Sequence, residues 1–195
     1  MKEYQIEVLT DLESEPVTLQ ETKAWLRIDA DFFDDDNILN TLITSSRELL
    51  EKYTNLAFGV KELKVRFSDN CIELPYGPTV DIISVTDVKT GDAISADKYE
   101  IRGLTYKSIV LNSAYNASWF YPLGGGTPQL WEGNVEHIEV DVVYTTGFSV
   151  LPKALKNALL TQIDYMYKNI GETNLEPLNP VAEKLASPYS RNLVL

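Results

Sequence analysis

The sequence is poor in the residues that carry most enzymatic chemistry. It has one cysteine, Cys71, and one histidine, His137, in 195 residues. A single thiol excludes an intrachain disulfide framework and a cysteine metal cluster, and it fits a reducing, cytoplasmic origin. His137 falls in an alternating, strand-like run close to Glu136 and Glu139, where a surface imidazole is the plain reading, and no spacing pairs it with Cys71 for thiol catalysis. No basic leader with an apolar core opens the chain, and no apolar run approaches the length of a membrane span. A soluble protein with no membrane partner is expected. Positive charge is also scarce: 17 basic residues face 29 acidic ones, for a formal net charge of −12. That balance argues against a sequence-general grip on a phosphate backbone.

The acids that are present do not assemble into a recognisable site. Asp29, Asp31, Asp34, Asp35 and Asp36 invite a calcium reading, since hard cations favour several carboxylates. The run lacks the alternation, central glycine and closing glutamate of an EF-hand loop, so helix capping and a solvated elbow explain it better. Gly124–Gly126 has no Gly-Lys-Ser/Thr after it, which removes a phosphate-binding loop. Nothing singles out a carboxylate pair for glycoside hydrolysis. Catalytic residues, cofactor and metal are therefore all assigned as none.

The chain is organised around residues 17–53. Thr18 and Glu21 make a capping box, with the hydroxyl accepting from an early helical N–H while the carboxylate reaches back to the cap. The helix that follows is expected to run about three turns with Leu19, Ala24, Trp25 and Ile28 facing inward, and Lys23 and Arg27 on other faces. After the acidic elbow, with Phe32 and Phe33, a second helix carries Ile38, Leu39, Leu42, Ile43, Leu49, Leu50 and Tyr53. Ser45, Ser46 and Arg47 interrupt that stripe. Two such short helices need a partner to pack on.

Beyond Thr54, Asn55 and Gly59 the period changes to two. Leu63, Val65 and Phe67 alternate with Lys64 and Arg66, and Ile72 and Leu74 flank Glu73. A turn at Pro75, Gly77 and Pro78 precedes the β-branched run Val80, Ile82, Ile83, Val85, Val88, and short strands follow around Tyr99–Ile101 and Lys107–Leu111. Short spacing predicts an antiparallel meander. Residues 112–134 read as a long loop whose aromatics, Tyr115, Trp119, Phe120, Tyr121 and Trp131, either close one end of the β core or make contacts. Ile138, Val140, Val142 and Tyr144 resume the sheet. Pro152 then opens a third helix bearing Leu155, Ala158, Leu159, Ile163, Met166, Tyr167 and Ile170, and Gly171 stops it. A proline-broken tail follows, with a short helix at Val181–Ala186.

The expected fold class is α+β: a small helical bundle, two N-terminal helices plus a C-terminal helix, with an inserted antiparallel β lobe. The divisions are an N-terminal arm or edge strand (1–16), a two-helix part (17–58), the β lobe (59–150), and the C-terminal helix with an extended tail (151–195). By length this is one compact unit with extended ends.

The order of parts, VTLQETKAWLRID, DDDNILNTLITSSRELLEKYTNLAF, LPYGPTVDIISV, VDVVYTTGFSVLPKALKNALLTQIDYMYKN and ASPYSR, resembles the head-tail connector (adaptor, or head-completion) proteins of long-tailed bacteriophages and prophages. The resemblance implies a structural virion protein made in the host bacterial cytoplasm. It also implies a homo-oligomeric ring of about twelve subunits beneath the phage portal protein after DNA packaging. A tail-side connector or tail-completion protein would dock on that ring, and DNA would pass through its lumen without specific binding. By the same likeness, Pro188, Tyr189, Arg191, Leu193 and Leu195 would contact the portal. Two other classes remain open: a phage-encoded carbohydrate-binding module or hydrolase using Trp119, Tyr121 and Trp131, and an acidic DNA-mimic inhibitor.

Overall fold

In the computed structural model, residues 5–68, 71–111, 119–120, 129–130, 139–172 and 176–191 are described. The chain forms two compact units where its length led to one being expected: a β unit drawn from the first residues and Lys61–Thr146, and a helical unit drawn from Leu12–Val60 and the stretch from Gly147. The architecture is α+β with antiparallel sheets.

The β unit contains β1 (Gln5–Thr10), β2 (Lys61–Phe67), β3 (Cys71–Glu73), β4 (Thr79–Asp87), β5 (Tyr99–Arg102), β6 (Ser108–Leu111), β7 (Trp119–Phe120), β8 (Gln129–Leu130) and β9 (Val140–Thr146). Its larger sheet has the order β1-β2-β9-β4, and a three-stranded sheet has the order β3-β6-β5. Period two decides the inner face. Leu63, Val65 and Phe67 stand directly opposite Tyr144, Val142 and Val140, all six are buried, and Ile72 and Ile109 of the second sheet join the same core. Tyr144 satisfies its buried hydroxyl by donating to the Pro75 carbonyl at 2.7 Å, as a phenol inside an apolar core requires.

The N-terminal segment is an edge strand. Ile6 pairs with Val65 and Val8 with Leu63, so both lie on the core side of the sheet, yet at the edge they remain 42% and 53% exposed. The run from Val80 to Val88 is less buried than a continuous apolar stretch implies: Val85 is in the core, while two register shifts in β4 leave Val80 and Ile83 outward. Of the long aromatic stretch, only the antiparallel pairing of β7 with β8 is described. Tyr115, Tyr121 and Trp131 lie outside the described residues, as does His137.

On the outer face of the larger sheet, Arg66 grips Asp141 with two bonds of 2.7 and 2.8 Å. The guanidinium hydrogen bonds hold the Asp141 carboxyl below its usual range, against the opposing effect of partial burial. An unfolded aspartate titrates near ~3.9. The pair's stabilisation is therefore complete above that pH and lost as pH falls through the still lower folded value. Asp141→Asn is expected to lower stability at neutral pH and to flatten its decline on acidification, as read from urea midpoints across the acid range. An unchanged acid slope would remove Asp141 from the account.

The helical unit contains α1 (Leu19–Leu26), α2 (Asp36–Thr54), α3 (Lys153–Lys168) and α4 (Pro180–Ala186), with a 3₁₀ turn at Ser187–Tyr189. The capping box forms: the Thr18 hydroxyl accepts from the Glu21 N–H at 3.1 Å, and the Glu21 carboxylate accepts from the Thr18 N–H at 3.0 Å. The first helix is shorter than expected, ending when Arg27 turns left-handed at φ 60°. Its inward face also differs. Ala24 and Trp25 are exposed, whereas Thr22 and Lys23 are buried.

In α2 the buried positions are Leu39, Ile43, Ser46, Arg47, Leu50, Glu51 and Thr54. Ser46 and Arg47 thus sit within the inward stripe, and Ile38 is the outward residue. Spacing by three and four is preserved, but four of its places are filled by polar groups that find partners. Arg47 reaches Glu15 at 2.9 Å and Glu51 at 3.2 Å, and the second Glu51 oxygen accepts from the Phe58 N–H at 2.7 Å. The third helix packs on both α1 and α2. Leu155, Leu159 and Ile163 join Ile43, Leu50 and Phe58 in one core, each fully buried apolar side chain contributing about 1.5–3 kcal/mol.

Candidate assembly surfaces

Two segments of the helical unit are built so that the chain presents them in fixed form: the acidic elbow between α1 and α2, and the C-terminal stretch after α4.

The elbow is organised by Lys23. A buried ammonium is costly unless its charge and its donors are satisfied. Here Nζ donates to the Phe32 carbonyl at 2.7 Å and to the Ala30 carbonyl at 3.5 Å, pairs with Asp36 at 2.5 Å, and lies 5.0 Å from the centre of the Phe33 ring. One side chain therefore ties together the first helix, the elbow backbone and the start of the second helix. Asp35, the N-cap of α2, makes no capping bond. It instead accepts from the Tyr167 hydroxyl at 2.5 Å, which holds that phenol above its usual range. Capping thus explains less of the acidic run than the sequence led us to expect, because two of its carboxylates are used in tertiary contacts. Asp29, Asp31 and Asp34 remain exposed. Among the described residues no group of three or more histidine, cysteine or acidic side chains is arranged to hold a metal ion.

Lys23 was not legible as an organiser. Its signal is thin: Lys23 and Arg27 are the only cations between the capping box and the aspartate run, and hydropathy places both in solvent.

The C-terminal stretch is anchored by polar contacts of the backbone. Asn179 caps α4, its side chain accepting from the Val181 N–H at 2.7 Å. Gln162, buried in α3, donates to the Pro177 carbonyl at 2.9 Å and accepts from the Asn179 N–H at 2.8 Å, so a single amide fixes the return of the chain. Of the residues singled out in the tail, Pro188 is exposed and Tyr189 packs partly buried against the helical core. Arg191 is 9% exposed; its N–H donates to the Thr54 carbonyl at 2.9 Å, and its own carbonyl accepts from the Asn55 amide at 2.9 Å. Leu193 and Leu195 lie outside the described residues.

Cys71 is exposed on β3.

Residues 16–109 match the family model of the phage gp6-like head-tail connector protein. That span takes in the capping box, the elbow, α2 and the strands from β2 to the start of β6, leaving out β1. No curated relative matches the chain. Among solved structures, the fold is similar to a chain in the neck of an empty GTA particle computed with C6 symmetry, with TM-score 0.71 and 15% identity over 98% of this chain and 97% of that one. A chain in the virion of a native gene transfer agent (GTA) particle gives 0.69 and 16% over 97% of each. The neck of a native GTA particle computed with C12 symmetry gives 0.65 and 16% over 98% and 97%. At such identities the likeness shows the fold alone, whereas the family match reaches the sequence: residues 16–109 carry a phage gp6-like head-tail connector domain.

Proposed function

We propose that the chain assembles into a ring of about twelve copies beneath the portal vertex of a phage or phage-like particle after DNA packaging. The ring offers the surface on which a tail-side connector or tail-completion protein docks. The observation that carries this reading is the connector-family match over residues 16–109, which contains the elbow fixed by Lys23. The similar chains from necks computed with C6 and C12 symmetry support a cyclic arrangement. A net charge of −12 suits a lumen that DNA crosses without sticking. On this reading the protein is made in the bacterial cytoplasm and ends in the virion.

The portal contact belongs to the end of the chain, and its five candidate residues divide in role. Tyr189 and Arg191 anchor the stretch on the helical core, Pro188 is exposed beside them, and Leu193 and Leu195 follow the anchor. The test is native mass spectrometry of the purified protein, alone and mixed with the portal ring from the same genome. A portal complex of ring-like stoichiometry is expected, and deletion of residues 192–195 is expected to abolish it while circular dichroism stays unchanged. A full-length protein that ignores the portal would overturn the connector reading. Normal binding by the truncated chain would overturn the tail assignment only.

A further inference from the structure

The helical unit carries two exposed apolar surfaces at opposite ends of α2, one flanked by carboxylates and the other by Lys184, next to Glu183. At the N-terminal end the elbow presents Phe33, 68% exposed, with Trp25, Phe32 and Ile38 each more than 40% exposed around it. Asp29, Asp31 and Asp34 lie in the same loop, exposed and with no ion pair among the described residues. At the other end, Tyr53 and Thr54 of the last turn of α2 hold α4 and the segment after it: the Tyr53 hydroxyl donates to Glu183 at 3.3 Å, and the Arg191 N–H to the Thr54 carbonyl at 2.9 Å. There Val181, 57% exposed, and the exposed Lys184 stand one turn apart on the outer face of α4 beside exposed Pro180. The 19 residues of α2 separate the two surfaces by about 28 Å at 1.5 Å per residue.

A surface and its complement at different places on one chain make a head-to-tail contact, and copies joined that way close into a ring when the rotation between them closes. A self-matching contact through the elbow would set carboxylate against carboxylate, which is unfavourable. We propose that the occupant of the elbow surface is a second copy of this chain: Phe33 of one copy seats against Val181 and Pro180 of the next, with Asp34 facing Lys184 at the rim. The inference rests on the connector reading and adds to it the residues through which neighbouring copies meet. Lys23 acts as a positioning residue, since it holds the elbow in the shape that projects the ring. An exposed aromatic fixed in this way loses little freedom on docking and fits the central anchor of an interface, with charges at its edge setting register.

The test uses two variants of the full chain, Phe33→Asp and Val181→Asp, both at exposed positions and both checked for native circular dichroism. Each is expected to raise the dissociation constant for self-association about tenfold or more and to run as a monomer where the unaltered protein assembles. Each variant retains one intact surface, so an equimolar mixture is expected to give a heterodimer and nothing larger. The proposal is overturned if the unaltered protein stays monomeric at every concentration, if either variant assembles normally, or if the mixture stays monomeric. Portal binding measured alongside separates the two readings: a chain that binds the portal while failing these tests removes the elbow contact and leaves the connector reading standing.

Discussion

Arg47→Ala is expected to destabilise the helical unit by about 3–5 kcal/mol, the cost of removing one partner from a buried ion pair. Arg47 and Glu51 are each 3% exposed. Removal of the guanidinium takes the ion pair from Glu51, which also accepts from the Phe58 N–H, and releases Glu15 at the edge. The charge left behind, more than the bond lost, sets the size of the effect. A double variant, Arg47→Met with Glu51→Gln, removes both charges, keeps most of the volume and leaves an amide oxygen to accept from Phe58. It is expected to recover more than half of the loss. The readout is the urea midpoint followed at the helical circular dichroism signal, which reports chiefly on this unit. If the double variant is no more stable than Arg47→Ala, the damage is one of packing and the argument from unpaired charge fails.

A second large effect is expected at Gly147. Its φ is +116°, and a Cβ there would fall on the carbonyl oxygen of Gly59. Since that obstacle is backbone, no side chain can rotate out of the way. Gly147→Ala combines the conformational strain of about 1–3 kcal/mol with displacement of the segment at which Phe148 bonds to the Ala57 carbonyl, and about 4 kcal/mol or more is expected in total. Gly171 is the internal control: φ is +91°, but nothing lies within 4 Å of its Cβ position. Gly171→Ala should therefore cost only the left-handed strain, about 1–2 kcal/mol. Equal losses at the two positions would mean that the close approach to Gly59 is not what makes Gly147 necessary.

What could be read in the sequence follows from which interactions are local. Thr18 and Glu21 form their capping box because both halves of it lie within one turn. Leu63, Val65 and Phe67 face the core because their neighbours along the strand are charged and the pleat alternates. The strands pair antiparallel as expected, but not as a meander: short connections account for β5 with β6 and β7 with β8, whereas the order β1-β2-β9-β4 joins strands far apart in the sequence. The errors share a different cause. Lys23, Arg47 and Glu51 are charged, so a hydropathy pattern sends them to solvent. Their burial is decided by the Phe32 carbonyl, Glu15 and the Phe58 N–H, which come from elements that no periodicity connects. Trp25 is the mirror case, an aromatic at a plausible inward position that the early end of α1 leaves outside. The tail shows the same limit. Its prolines and apolar end mark a docking segment, but only the bonds from Thr54 and Asn55 reveal that Arg191 is part of the anchor.

The division of the chain also bears on how it can be cut. The polypeptide passes between the two units after Asp11, between Val60 and Lys61, and between Thr146 and Gly147. Neither unit is therefore a contiguous fragment, and a protease that nicks any one crossing leaves the pieces tied by the other two. The strand at the beginning adds a kinetic condition, because β1 finds β2 only when the intervening helical segment has brought its ends together. A chain wired in this way can be clipped once and still keep both of its cores together.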